Sequence, residues 1–471
     1  MIFDLRFAIC DLRFAICDLR FAICDTRFAI RGSLQAHVNF LAFSTLNFDE
    51  ADGAHNPTQI ARALVLRGHP VLFVEPQPSA RRDAASPSPE IVALTEIGFT
   101  LTQLRRAGFG LDSGDLQDNA RALSERIARW DAHAPRAALF SAPFDPFVRL
   151  VPFLRAQNFL IVYYAMDDFA AAPALGHTQF APAAEEYLTR NADVLCAVTA
   201  HTAQTLQRFG KTARVIPNGV NLDAFRSTEK IPRAQIERGE LTLGFWGTLI
   251  DSMFDADLVA HVAHARPHWR IHLLGTPDPE PHRPSVVARL KKFSNIIFHG
   301  AVPHSDLRRY AAAFDVALAP FPDNAFTRGR DPLKVYEYLA AHLPVVASYA
   351  PHLAALPYVF VAHSPETFLE AIEQAARAQT DTRALDEFLA AQTWNARADA
   401  LLHTLREAPQ QARGDGAILP TFAHPDADAV MRYAEMLERE LENVQTWARA
   451  LEHAQTRGGL KRFIPTFGKR I

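Results

Sequence analysis

Cysteine is scarce in this chain, which has four cysteines in 471 residues. Cys10, Cys17 and Cys24 occupy the same position of a short repeat, and Cys196 lies in the main body of the sequence. No CxxC pair occurs. The cysteine pattern therefore supports neither a disulfide framework nor a cysteine-bound metal site.

Long apolar runs and an excess of one charge are also missing. No stretch approaches the roughly 18 to 20 uninterrupted apolar residues that cross a bilayer, and the N-terminus has no apolar signal segment. Lys and Arg number 49 against 52 Asp and Glu, so no overall basic field favours nucleic acid. We expect a cytoplasmic protein without a nucleic-acid partner.

Residues 3–30 consist of four nearly identical heptads, FDLRFAI, CDLRFAI, CDLRFAI and CDTRFAI. The period of seven is compatible with a short oligomerisation helix, but each unit places Asp and Arg between its apolar residues. The alternative is a simple repeat, or a misassigned start, that does not belong to the fold. We favour the second interpretation of residues 1–30 and assign the segment no chemistry.

Strand-like and helix-like segments alternate along the main body. A predicted strand at 37–44 is followed by a predicted helix at 57–67, which Gly68 ends, and by a predicted strand at 70–75. A strand, a helix and a strand in this order form a βαβ unit, whose two strands are parallel. The sequence therefore indicates an α/β protein.

Two such series are present, and 471 residues exceed what one hydrophobic core supports. We expect two Rossmann-like domains, at 31–217 and 218–407, that face each other across a cleft. Ligands of doubly wound sheets bind beyond the carboxyl ends of the strands, so the cleft is the expected site.

The C-terminal part has a different character. A linker at 408–425 precedes an amphipathic segment at 426–456, whose apolar residues alternate in spacings of four and three as in a coiled coil. This predicted helix either forms a homodimer or packs across the body. The tail at 457–471 combines basic residues with phenylalanine, which fits peripheral contact with an anionic membrane surface or a frayed terminus.

One helix start predicts an anion site. Asp331 is a candidate N-cap and Pro332 suits the first helical position, so a helix is expected to begin here. Lys334 lies in its first turn, where a cation opposes the helix dipole unless an anion sits in front of it. Gly247, in the turn after a strand, lets the backbone come close to phosphates. Lys334 and Glu337 share a helix face, so a solvated surface pair is the alternative.

Seven segments, in order along residues 37–405, resemble the retaining GT-B glycosyltransferases of the family 4 type (glycosyl transferases group 1), in particular bacterial members that act on cell-envelope polysaccharides. The segments are ARALVLRGHPVLFVEP at 61–76, YYAMDDF at 163–169, ADVLCAVTAHTAQTL at 192–206, VIPNGVNLDAF at 215–225, GFWGTL at 244–249, NIIFHGAVPHSDLRRYAAAFDVALAPF at 295–321 and DPLKVYEYLAAHLPVVAS at 331–348. Two positions depart from the family pattern. Gly329 stands where the family has an acid that contacts the transferred sugar, and His342 stands where glycine is usual.

The resemblance implies transfer of a sugar from a nucleoside diphosphate sugar to a glycan or lipid-linked acceptor hydroxyl, with retention and without a metal or other cofactor. It implies that Glu337 accepts hydrogen bonds from the ribose of the donor. The predicted donor-binding residues are Gly247, Thr248, Arg328, Lys334, Val335 and Glu337. The predicted catalytic residues are His55, Asp168 and Arg330.

Several of these residues have a second interpretation. His55 also suits a turn, Asp168 also suits a helix cap, and Arg328 and Arg330 also suit exposed loop charges. For the whole protein, the alternatives are a nucleotide-sugar epimerase and a non-catalytic nucleotide-sugar-binding or scaffold protein on the same fold. The donor base, the sugar and the acceptor stay open.

Overall fold

The computed structural model describes residues 37–45, 48, 54–74, 120–121, 123–131, 133–172, 180–226, 234–276, 285–408 and 419. The heptad repeat, the predicted helix at 426–456 and the basic tail at 457–471 lie outside these residues. In the described part of the chain, no helix is both long enough and apolar enough to cross a membrane.

The strands are short. They are β1 (Asn39–Phe43), β2 (Val71–Val74), β3 (Arg136–Phe140), β4 (Phe159–Ala165), β5 (Val194–Ala197), β6 (Arg214–Val215), β7 (Thr242–Trp246), β8 (Arg270–Leu274), β9 (Ile296–Gly300), β10 (Val316–Ala319), β11 (Val345–Ser348) and β12 (Val359–Ala362). Most are buried, whereas β6 is exposed and β9 and β12 are partly exposed.

Helices separate most of the strands. They are α1 (Asn56–Leu66), α2 (Asp145–Val148), α3 (Val151–Ala156), α4 (Pro182–Asn191), α5 (Ala200–Gln207), α6 (Leu222–Arg226), α7 (Ala256–Ala265), α8 (Val286–Leu290), α9 (Leu307–Ala311), α10 (Ala325–Gly329), α11 (Leu333–Ala340), α12 (Pro365–Arg377), α13 (Thr382–Ala390) and α14 (Trp394–Glu407).

The strands form two six-stranded sheets, in the orders β2-β1-β3-β4-β5-β6 and β12-β11-β10-β7-β8-β9. Neighbouring strands in both sheets are parallel. The prediction of two parallel α/β domains is confirmed. Because all strands of a sheet run the same way, their carboxyl ends and the loops that follow them share one edge.

Both faces of each sheet carry a hydrophobic core. In β1, Leu41 and Phe43 belong to one core cluster, whereas Phe40 and Ala42 belong to the cluster on the opposite face. Successive side chains of a strand point to opposite faces, so a sheet covered by helices on both sides needs apolar residues at every position. This is why the strands appear in the sequence as continuous apolar runs rather than as alternating ones.

The last described helix returns to the first domain. α14 follows the second sheet in sequence, but its buried Trp394, Ala398 and Leu401 lie in the core cluster that contains α1. Arg67, directly after α1, donates hydrogen bonds to Asp399 of α14. The chain therefore crosses between the domains more than once, and the domain predicted at 218–407 ends in a helix that packs on the other domain.

The first crossing is held by a buried polar network around Asn218. The Asn218 backbone N–H donates to Asp331 Oδ2 at 2.6 Å, and its side-chain amide donates to the Asp331 carbonyl at 2.5 Å. Arg397 Nε donates to the Asn218 carbonyl at 3.0 Å, and Asn56 Nδ2 donates to Asn218 Oδ1 at 2.8 Å. One asparagine thus ties both domains and α14 together.

A glycine in the centre of the second sheet leaves room for an aromatic ring. A Cβ on Gly244 of β7 would lie 2.0 Å from Cδ2 of Phe314, whose ring fills the space above the strand. We expect Gly244→Ala to lower the free energy of unfolding by about 3 kcal/mol, because the close-packed core would have to shift. Urea denaturation of the purified protein measures this change.

The matched control is Gly300→Ala, at the exposed end of β9. No heavy atom lies within 4 Å of a Cβ there, and only the positive φ of 70° opposes a side chain. The expected cost is about 1 kcal/mol. Equal costs for the two substitutions would contradict the steric role of Gly244.

Candidate active site

The turn after β7 meets the turn after β8 and the start of α11. Gly247 has a φ of 136° and Gly275 a φ of 147°. A Cβ on Gly275 would lie 1.9 Å from the Gly247 carbonyl oxygen, and a Cβ on Gly247 would lie 2.3 Å from Lys334 Nζ. The close approach of the two backbones therefore requires glycine at 275, and at 247 the positive φ disfavours a side chain.

Lys334 projects a half-buried cation at this turn. Its Nζ lies 4.3 Å from the centroid of the Phe245 ring. Burial, and to a smaller extent the nearby Arg330, lower the pKa of the Lys334 ammonium to about 7, against the opposing effect of Glu337. Within the described part of the chain, Lys334 forms no ion pair. An anion bound here would stabilise the charged form of Lys334.

The start of α11 differs from the prediction. The N-cap is Pro332, which offers no side-chain hydrogen bond, and the helix begins at Leu333. The predicted N-cap role of Asp331 is wrong because its carboxylate accepts hydrogen bonds from the Asn218 N–H and, at 3.0 Å, from the Tyr336 hydroxyl. Burial raises the pKa of the Asp331 carboxyl to about 6, and these two donors oppose the rise. A helix N-terminus without a side-chain cap suits an anion.

Glu337 does not form the solvated pair with Lys334 that the sequence left open. Its Oε2 accepts a hydrogen bond of 2.9 Å from the indole Nε1 of Trp246, and its Oε1 lies 2.8 Å from Nε2 of His304. The next residue, Tyr338, accepts a 3.0 Å hydrogen bond at its hydroxyl from the Trp246 backbone N–H. α11 is therefore fastened to the end of β7 by successive residues.

Gly329 lies in the contact between the two domains. A Cβ at this position would lie 2.5 Å from Cβ and 3.1 Å from Oδ2 of Asp168, at the carboxyl end of β4. The hydroxyls of Thr199 and Thr202, at the start of α5, donate to the Gly329 carbonyl at 3.0 and 2.8 Å. The position that lacks the family acid thus has no space for a side chain.

Two predicted catalytic residues meet at the same contact. Arg330 Nε lies 3.4 Å from Asp167 Oδ1 across the domains, so Arg330 is not a free loop charge. Asp168 is buried, and its Oδ2 lies 3.5 Å from His201 Nε2. Burial raises the pKa of Asp168, while His201 and the N–H groups of Ala170 and Ala171 oppose the rise. These N–H contacts place Asp168 at the start of the turn at residues 169–171.

The other predicted site residues are more widely distributed. Arg328 is exposed in the last turn of α10 and pairs with Asp323, so it forms a surface charge pair, although on a helix and not in a loop. His55 is the N-cap of α1, and its Nε2 lies 3.2 Å from the Thr58 hydroxyl. Thr248 is exposed after the Gly247 turn, whereas the Val335 side chain is fully buried in the core. Val335 can therefore offer a ligand only its backbone.

Sequence reasoning did not identify the roles of Trp246, His304 and His201. Trp246 lies within the quoted motif GFWGTL, and His304 within the quoted segment NIIFHGAVPHSDLRRY, but no spacing in either connects them to Glu337. Among the described residues, no group of three or more His, Cys, Asp or Glu side chains could hold a metal ion.

Two family models match the two sheet domains. Residues 58–224 match the model described as Glycosyltransferase Family 4, and residues 242–378 match the model described as Glycosyl transferases group 1. The first match covers β2 to β6, and the second covers β7 to β12 with the Gly247 turn and α11. The fold is therefore GT-B, and each of its two domains resembles a family model of glycosyltransferases.

Individual relatives are distant. The chain is 25% identical over 215 residues to TuaH of Bacillus subtilis, a candidate teichuronic acid biosynthesis glycosyltransferase; the match covers 42% of this chain and 53% of TuaH. The chain thus spans about half the length of this curated relative.

Similar solved structures include sucrose-phosphate synthase of Thermosynechococcus elongatus, with a TM-score of 0.57, 17% identity and coverage of 79% of this chain and 98% of that one. Anabaena HepE, in a complex with UDP and glucose, has a TM-score of 0.55, 15% identity and coverage of 79% and 100%. At such identities the likeness establishes the fold.

Proposed function

We propose that this protein transfers a sugar from a nucleoside diphosphate sugar to an acceptor hydroxyl. The observation that carries the proposal is the position of Lys334, whose ammonium group lies against the Gly247 turn at the carboxyl edge of the second sheet. Its pKa is lowered to about 7 mainly by burial, so a bound diphosphate would relieve the cost of charging it.

Charge develops on the departing diphosphate as the sugar bond breaks, and cations placed there in advance stabilise it. Lys334 would supply one positive charge and the N-terminus of α11 a partial one. Arg330 would supply a second charge if it turned from Asp167 toward the phosphates. With these groups the reaction needs no metal ion and no other cofactor. Retention is the stereochemistry that we propose, because the family 4 type that the sequence resembles retains the anomeric configuration.

We further propose a glycan or lipid-linked acceptor and a role in cell-surface polysaccharide or glycolipid synthesis, in the cytoplasm or at the inner face of the membrane. The similarity to TuaH, named for teichuronic acid biosynthesis, supports the polysaccharide. The complexes of HepE with UDP and with UDP-glucose support a nucleotide-sugar donor. The competing function is a non-catalytic nucleotide-sugar-binding protein, which Gly329 favours because no acid stands at that position.

Turnover with a panel of nucleotide sugars distinguishes these functions. We expect release of UDP, GDP or ADP from one class of donor in the presence of sugar or glycolipid acceptors, with the product anomer assigned by proton NMR. Glu337→Gln is expected to lower kcat/KM about tenfold. A neutral amide accepts weaker hydrogen bonds from the nucleotide sugar than a carboxylate does.

Glu373→Gln is the matched control. Glu373 lies on α12 and pairs with Arg266, away from the Gly247 turn, so its substitution should leave kcat/KM unchanged. If the protein binds a nucleotide but turns over no combination of sugar donor and acceptor, the transferase proposal is wrong and the protein is a non-catalytic nucleotide-sugar-binding protein.

A further inference from the structure

The carboxylate of Glu337 is held by two donors that come from different turns. Trp246 ends β7 and donates its indole N–H to Oε2 at 2.9 Å, and His304 lies after β9 and contacts Oε1 through Nε2 at 2.8 Å. The Glu337 side chain is 14% exposed, so it is not completely closed off from solvent. With a donor on each oxygen, the plane of the carboxylate is defined.

Trp246 and His304, the two hydrogen-bond donors to Glu337, are themselves held in place by neighbouring aromatic rings. The Trp246 ring contacts the Tyr338 ring with centroids 4.1 Å apart, and its backbone N–H is bonded to the Tyr338 hydroxyl. Phe225 lies parallel to Trp246, with centroids 6.0 Å apart, and meets His304 edge to face at 5.6 Å. Phe225 belongs to α6, in the connection between the two domains. Trp246 and His304 are therefore placed by packing as well as by the carboxylate.

A carboxylate offers about four lone-pair positions, so two remain after these contacts. Lys334 and Glu337 are three residues apart on α11, about 4.5 Å along the helix axis. In a nucleoside diphosphate, the group adjoining the phosphates is the ribose, whose 2′ and 3′ hydroxyls are neighbouring donors. The Glu337 carboxylate has a hydrogen-bond partner on each oxygen and lies about one helical turn from the Lys334 ammonium group. It can therefore accept hydrogen bonds from this pair of hydroxyls.

We propose that Trp246 and His304 are positioning residues that orient Glu337 toward the ribose diol, so that the site selects ribonucleotides over 2′-deoxyribonucleotides. The inference rests on the proposed function, because it places the nucleotide of the donor at α11. The hydrogen bonds from Trp246 and His304 also keep Glu337 from turning toward Lys334. The ammonium group of Lys334 therefore stays available to the phosphates.

Isothermal titration calorimetry with UDP, GDP, ADP and the 2′-deoxy form of each tests the proposal. For the base that binds, the wild-type protein should prefer the ribonucleotide by about tenfold, the effect of one hydrogen bond to a charged group. Trp246→Phe keeps an aromatic ring but removes the N–H donor, and His304→Phe removes the second donor. Both should reduce the preference to about twofold, mainly through weaker binding of the ribonucleotide.

His304→Gln is the conservative variant, because its side-chain amide can donate to Oε1 in place of the imidazole, and it should keep the preference. A merely structural role would instead weaken ribo- and deoxyribonucleotides equally. If Trp246→Phe keeps both the preference for ribonucleotides and the melting temperature of the wild type, the inference is wrong, but the proposed function is not affected. If wild-type protein binds none of the six nucleotides, the proposed function fails as well, whereas binding that is lost in Lys334→Ala supports the donor site independently.

Discussion

Lys334→Ala should lower kcat/KM for the nucleotide-sugar donor by roughly 100- to 1,000-fold, the usual effect of removing one preorganised group that stabilises developing charge. The loss is expected to be large because Lys334 is the cation that lies against the Gly247 turn. Binding of the product nucleotide should weaken in parallel, since the diphosphate carries its charge in the ground state too. Steady-state kinetics and calorimetry measure the two effects.

The same residue predicts a pH dependence. Burial and Arg330 lower the pKa of free Lys334 to about 7, and a bound diphosphate would raise it by favouring the charged form. The bound protein therefore holds more protons than the free protein above pH 7, and affinity must fall as pH rises. Between pH 7.5 and 9 the fall should approach about tenfold per pH unit while the pKa in the complex stays above the measured pH.

Lys334→Arg is the matched control for this prediction, because a guanidinium stays charged throughout the range. Its nucleotide affinity should vary little with pH, even if it is lower overall. Calorimetry in two buffers of different ionisation enthalpy should show proton uptake by the wild type at pH 8 and none by Lys334→Arg. A pH-independent wild type that still requires Lys334 would contradict a lowered pKa.

Gly329→Ala should reduce kcat/KM by about 100-fold, although it adds only one methyl group. The new Cβ would lie 2.5 Å from Cβ of Asp168, so the domains would have to separate and the hydrogen bonds of Thr199 and Thr202 to the Gly329 carbonyl would lengthen. Displacement of catalytic groups by about 1 Å is enough for such a loss. Steady-state kinetics with the nucleotide-sugar donor measure this loss.

The control for Gly329→Ala removes the Asp168 side chain, which the new Cβ would otherwise meet. The three nearest atoms to the new Cβ all belong to Asp168, so the double variant Asp168→Gly with Gly329→Ala should be no less active than Asp168→Gly alone. Additive losses in the double variant would show that Gly329 is required for another reason. The same experiment measures how far Asp168 itself contributes to turnover.

Sequence patterns predicted the elements and their class well, because each depends on neighbouring residues. The alternation of apolar strands with amphipathic helices is a local property, and it led to two parallel α/β domains. The helix that carries Lys334 and the glycine turn at 247 were predicted for the same reason. Asp331 shows the limit of such reasoning. Its carboxylate suits a helix cap, but in the structure it accepts a hydrogen bond from Asn218, 113 positions away in the connection between the domains.

By itself, the sequence determined the two α/β domains, the family resemblance and the helix on which Lys334 and Glu337 lie. Only the tertiary structure decided what these residues contact. Trp246 and Glu337 are 91 positions apart, and Asn218 and Asp331 are 113 apart. Such pairs form where parallel strands bring their carboxyl ends to one edge and where two domains close on each other. Hydrogen bonding and steric fit at those places depend on three-dimensional distance, which no spacing along the chain records.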